Sequence, residues 1–174
     1  MEFQSVITLR QSVRAYKPEQ ITQAQLDAVL EAAYNAPVAM GQTENIHLTV
    51  VQSAAVLDQL NAVFAETVGN PEAKPTYGAP TLIVVSAPKD NEDILNGANA
   101  AVVVENMLLA AADQGLGGVY IFGLCQATKG RPEPAQLLEL PEGFTAVSAI
   151  ALGTPAEQPA PRALGVRYAT NVVK

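Results

Sequence analysis

From Asn91 to Gln114 the chain is rich in alanine, and between Ala98 and Ala112 it is apolar almost all the way round. A surface helix carries one apolar stripe, whereas a helix apolar on every side must be covered on every side. Such an element is expected to be buried rather than amphipathic. Gly115 is suited to end it in the left-handed conformation. Asn99, Glu105 and Asn106 interrupt the apolar run and make it a poor membrane span.

The remaining elements follow from periodicity. Residues 3–10 read as a short helix with Phe3, Val6 and Ile7 on one side. Leu26, Val29, Leu30 and Ala33 recur at helical spacing over 23–35, Thr22 and Gln25 form a capping box, and Pro37 stops the helix. Residues 46–51 predict a strand with Ile46, Leu48 and Val50 on one face. Ser53 caps a third helix striped by Val56, Leu60, Val63 and Phe64. The Gly- and Pro-rich 69–80 is a loop. Residues 81–86, β-branched and apolar on both faces, predict a central strand. Further strands are expected at 118–123 and 144–153, with turns and a short helix between them and a possible strand at the end of a Pro-punctuated tail. Helices and strands mix without strict alternation, so the expected class is α+β, one domain spanning 1–174.

Composition narrows the function. The chain has 174 residues, ten Lys and Arg against seventeen Asp and Glu, and a formal charge of −7. No basic face for nucleic acid or an anionic membrane is expected. One cysteine and one histidine exclude an internal disulfide and leave too few ligands for a usual zinc centre. His47 and Cys125 lack the surroundings of a nucleophilic pair. The N-terminus lacks a basic region followed by a long apolar one, so a cytoplasmic protein is expected.

Against that acidic background, "LRQSVRAYKPEQ" places Arg10, Ser12 and Arg14 at alternate positions. On extended backbone all three point the same way. Guanidinium groups form charge-assisted bonds to phosphate, roughly 1.5–3 kcal/mol each, and a serine hydroxyl adds a donor. The cluster is either a phosphate clamp or a solvated basic face beside Glu19. "GLGGVYIFG" is no dinucleotide fingerprint: Tyr120 takes the third glycine's place, and a helix precedes the glycines rather than following them. It either admits a flat ligand close to the backbone or simply joins a helix to a strand. "APVAMGQTEN" is either a binding loop or a connection, and Arg162 and Arg167 are either solvated or further cations for the first cluster.

Taken in order, "RQSVRAY", "LEAAYNAPVAMG", "YGAPTLIVVSAP", "NGANAAVVVENMLLAAADQGLGGVYIFG" and "LPEGFTAVSAIALGTP" resemble the nitroreductase family of FMN-dependent oxidoreductases over nearly the whole chain. The resemblance implies a three-layer α+β sandwich, its mostly antiparallel central sheet flanked by helices. It also implies an intertwined homodimer with FMN at the subunit interface. Arg10, Gln11, Ser12 and Arg14 would then hold the phosphate and ribityl chain, with Arg167 as a C-terminal phosphate cation. Pro37, Val38, Gly41 and Gln42 would come from the partner subunit. Ile121, Phe122 and Gly123 would pass near the flavin ring, and Lys74 would reach its pyrimidine edge.

Two departures bear on that expectation. Where many members carry P-S-x-x-N-x-Q-P-W, this chain has Val38, Gly41, Thr43 and Asn45 in place of the Ser, Asn, Gln and Trp, leaving Gln42 as a substitute contact. Phe122 stands where some members have a carboxylate, which predicts a more apolar ring environment. The family activity implied is electron transfer from NAD(P)H to nitroaromatics, quinones or similar acceptors by a ping-pong mechanism, with no side chain as catalyst. The alternative is a flavin-binding store, sensor or partner subunit without turnover. Relatives that dehalogenate or break down flavin usually carry a substrate lid, for which this chain has little room.

Overall fold

The computed structural model describes residues 1–174. Four strands form one sheet in the order β1-β2-β4-β3, where β1 is His47–Val51, β2 Thr81–Pro88, β3 Gly117–Ile121 and β4 Phe144–Gly153. All three strand pairings are antiparallel, in keeping with the expected mostly antiparallel sheet. The β-branched run expected at the centre is there: Leu82, Ile83, Val84 and Val85 are fully buried. Burying each such side chain stabilises by about 1.5–3 kcal/mol.

Alternation along β2 and β4 divides the core. Ile83, Val85, Ile150 and Leu152 face helices α2 (Gln23–Tyr34) and α4 (Asp93–Asp113). Leu82, Val84, Ala149 and Ala151 face the other side, where α3 (Ala54–Val68), α5 (Gly123–Ala127) and α6 (Pro132–Leu137) pack. The result is three layers, helices on both faces of the sheet. Short α1 (Phe3–Leu9) lies against α4. The Thr22–Gln25 capping box forms in full, and Ser53 caps α3, whose buried stripe also includes Leu57.

Three expectations change. Within one chain α4 is covered on one side only. Val103, Val104, Met107 and Leu108 are buried, while Ala98, Ala101 and Glu105 are exposed, because no element lies over that face. The helix is long and apolar enough to cross a membrane, and its buried side is the floor of the core. The strand expected over 118–123 ends at Ile121, because Phe122 turns to helical angles and Gly123 begins α5. No strand forms in the tail. Residues 163–174 are exposed and pair with no strand of their own chain.

The polar residues inside α4 have backbone partners. Asn96 donates to the Pro88 carbonyl and Asn106 to that of Ala32. Asn99 accepts from the Ala39 N–H at 2.9 Å, tying the 36–45 loop to the helix. Buried amides satisfied in this way fix position rather than weaken the core.

Candidate functional site

The free edge of β3 is covered by the N-terminal segment. Ser12 bridges Gly118 in parallel, the Val13 N–H donates to the Gly118 carbonyl at 3.1 Å, and the Lys17 N–H to Thr154 at 2.9 Å. Extended backbone makes the side chains alternate. Val13 turns inward onto Gly117, so close that a Cβ on that glycine would lie 2.8 Å from Val13 Cγ1. Ser12 and Arg14 are exposed on either side of it. Tyr16 anchors the far end, its hydroxyl donating to the Val13 carbonyl at 2.6 Å. Burial pushes that phenol above its ordinary range, against the pull of Arg14.

Arg14 has no carboxylate partner. Its guanidinium instead lies over the Tyr77 ring, 5.7 Å from the centroid. The contrast with other cations is direct: Arg131 is held by Glu66 and Glu133, and Lys129 by Asp93. Arg10 reaches toward Glu105 at a loose 3.9 Å.

Tyr77 in turn lines a hollow of about 270 Å³ with Lys74, Tyr120, Ile121, Phe122 and Gly123, backed by Phe64. The Tyr120 and Phe122 rings stack at 6.4 Å, and Phe122 is half exposed. A cation with free donors and a hollow with aromatic walls therefore meet at Tyr77. Together they can hold an anionic group beside a flat apolar one.

The residues singled out in the sequence do not all gather here. Arg14, Lys74, Ile121, Phe122 and Gly123 do, and Arg10 and Ser12 precede Arg14 on the same segment, Ser12 beside Gly118. Gln11 donates its amide to the Ala160 carbonyl of the tail, at 2.6 Å. Pro37, Val38, Gly41 and Gln42 lie elsewhere: Val38 packs with the α2–α4 side of the core and lines a separate hollow with Tyr34, Ile46 and His47. That is the opposite face of the sheet from Phe64 and Ile121. Arg167 is exposed in the tail and apart from the cluster, while Arg162 donates to the Ile7 carbonyl at 3.4 Å. His47 stands edge-on to Phe144, and Cys125 is buried in the other half of the core, its thiol pushed up to about 12 by burial. Tyr77 and Glu105 were missed. A tyrosine before Gly78 in a Gly/Pro loop was the available signal for the first, and a lone carboxylate in an apolar helix for the second.

Comparison with known proteins bears on the fold and the family. A crystal structure of a nitroreductase with bound FMN from Bacteroides fragilis is 31% identical to this chain. The match covers 99% of this chain and 98% of that one, with a TM-score of 0.85. A nitroreductase with bound FMN from Desulfitobacterium hafniense shares the fold at 22% identity, covering 98% and 100% of the two chains with a TM-score of 0.83. A Methanothermobacter thermautotrophicus protein, whose name proposes NADH dehydrogenase/NAD(P)H nitroreductase activity, is 29% identical over 94% of this chain and 83% of its own length. The model of the nitroreductase family matches residues 7–154, and the chain belongs to that family.

Proposed function

We propose that residues 1–174 act as one FMN-binding unit of an oxidoreductase. The observation that carries this is Arg14: an unpaired guanidinium in an acidic chain, beside an aromatic hollow, in a member of the nitroreductase family. A phosphate monoester needs donors not already spent on carboxylates, and a flat ring needs an apolar wall. Arg14 and Ser12 supply the first; Ile121, Phe122 and Gly123 supply the second. The donor set therefore fits FMN.

In this reading Arg10, Ser12 and Arg14 hold the phosphate and ribityl chain, with Gln11 beside them, and Lys74 would reach the ring's pyrimidine edge. Phe122 offers a stacking surface rather than a charge. When bound, FMN supplies the redox chemistry, passing electrons from NAD(P)H to a nitroaromatic, quinone or similar small acceptor in ping-pong order. The chain orients both partners and keeps one wall of the site apolar. No side chain is assigned a proton-transfer step.

A homodimer completes the proposal. Pro37, Val38, Gly41 and Gln42 face away from the hollow in their own chain, so they would serve the site of a second copy. The exposed face of α4 and the exposed Phe3, Val166, Tyr168 and Val172 support such an assembly. Arg167, on the exposed tail, would act in the same shared site.

The test is a flavin titration followed by turnover. FMN should bind near one per chain, Arg14→Ala should weaken it about ten- to a hundredfold, and light scattering should give a dimer mass. NADH or NADPH oxidation with a quinone should then follow. Bound FMN without turnover would favour a store or sensor. Unchanged affinity in Arg14→Ala would remove the phosphate clamp, and a monomer mass with FMN bound would remove the shared site.

A further inference from the structure

Tyr77 combines three features that ordinary loop residues lack. Its backbone is left-handed, with φ of 55°, a conformation that bulky side chains rarely adopt. The neighbouring residues hold it there. Thr76 is buried and bonded to Asn61 of α3 through both its hydroxyl, at 3.0 Å, and its N–H, at 3.4 Å. The Tyr77 N–H donates to the Lys74 carbonyl at 3.0 Å, and Ala79 is buried two residues on. The unfavourable angle brings the ring out to 42% exposure, with the Arg14 guanidinium over it.

We propose that Tyr77 is a positioning residue: its ring holds the Arg14 guanidinium against the hollow, leaving its N–H donors free for the cofactor's phosphate. This rests on the FMN reading given above. The physical logic is selective. A carboxylate could hold Arg14 equally well but would consume its donors and neutralise its charge. An aromatic face attracts the cation through the ring quadrupole and leaves the donors at its rim unoccupied. Strained backbone of this kind persists where surrounding structure over-determines it, and it concentrates at functional sites. Tyr77 thus links the 69–80 loop to the N-terminal segment near Arg14, while Gln20 joins the same two parts farther along by donating to the Pro80 carbonyl at 2.9 Å.

The experiment compares FMN with riboflavin, which has the same ring and ribityl chain but no phosphate. Tyr77→Leu keeps bulk and removes the ring face; Tyr77→Phe keeps the face and removes the hydroxyl. Tyr77→Leu should weaken FMN about two- to fivefold, the range expected for an exposed cation–π contact, and leave riboflavin unchanged. Tyr77→Phe should bind both as the wild type does. In an Arg14→Ala background Tyr77→Leu should have no further effect. Equal weakening of FMN and riboflavin would make Tyr77 a direct ring contact and overturn the proposal, as would no change for either. If the wild type binds neither flavin, the FMN reading fails, and the pair is judged by NMR. The Arg14 Nε–H resonance, displaced by the Tyr77 ring current, should move on Tyr77→Leu and stay on Tyr77→Phe. A resonance indifferent to both would overturn the pairing.

Discussion

Gly117→Ala is a demanding perturbation, because it acts on the proposed clamp without touching a ligand. Gly117 does not have a positive φ, so alanine is conformationally permitted there and only space decides. The added Cβ would lie 2.8 Å from Val13 Cγ1, 2.9 Å from Val13 Cβ and 3.0 Å from Cγ2. A rotation of the valine cannot relieve this, because its branching carbon is itself too close. The backbone of 12–14 must move outward, stretching the 3.1 Å bond from the Val13 N–H to Gly118. Overpacking costs about 1–3 kcal/mol and the lost hydrogen bond about 0.5–1.5 kcal/mol. A domain of ordinary stability, about 5–15 kcal/mol, stays folded after such a loss.

The expected result is a lower urea midpoint together with a marked loss of FMN affinity, since Ser12 and Arg14 flank Val13 and move with it. Gly115→Ala is the control. Its φ is +71° and nothing lies within 4 Å of the added atom. It should therefore cost about 1–2 kcal/mol through backbone strain alone and leave FMN affinity intact. Wild-type FMN binding by Gly117→Ala, or equal FMN loss in both variants, would refute the coupling between the β3 edge and the clamp.

Two further outcomes are expected. Glu105→Gln should tighten FMN about two- to fivefold, more at low salt, because an exposed carboxylate 3.9 Å from Arg10 competes for that cation at up to about 1 kcal/mol; weaker binding in the titration would make Glu105 a support rather than a competitor. Burial raises the Cys125 thiol from 9.0 to about 12, and burial likewise raises the Tyr16 phenol. Groups raised in the folded state contribute stability that is intact below their unfolded values and lost as pH rises through the folded ones. The melting temperature should therefore fall as pH climbs above 9, and Cys125→Ala should make that fall shallower; rapid labelling of the native thiol at pH 8 by a chromogenic disulfide would contradict it.

Much of this architecture was legible because local and global signals agree. The 23–34 helix has its capping box and apolar stripe, and the run at 81–86, apolar on both faces and rich in β-branched residues, falls in β2 at the sheet centre. The alternation of Arg10, Ser12 and Arg14 is visible in the sequence; that Val13 turns inward between the last two is seen only in the structure. What could not be read depends on pairs far apart in the chain. Nothing near Tyr77 announces Arg14, and the left-handed angle that presents its ring is set by Thr76 reaching α3. The uncovered side of α4 was misread because periodicity reports that a face is apolar, not which molecule covers it. The tail failed as a strand for a related reason: a β-propensity run needs a partner strand, and within one chain the tail lies along none.

The strand order also shapes how the chain is made. β4 lies between β2 and β3, yet it comes last in the sequence. Roughly sixty residues separate the end of β2 from β4, which at about 5–20 residues per second is several seconds of synthesis. During that interval β1 can pair with one edge of β2, while the other edge, on the most apolar strand in the protein, has no partner. Such an edge is a template for intermolecular pairing. The vulnerable stage in the life of this molecule is thus the nascent chain, and the final strand to emerge is the one that closes it.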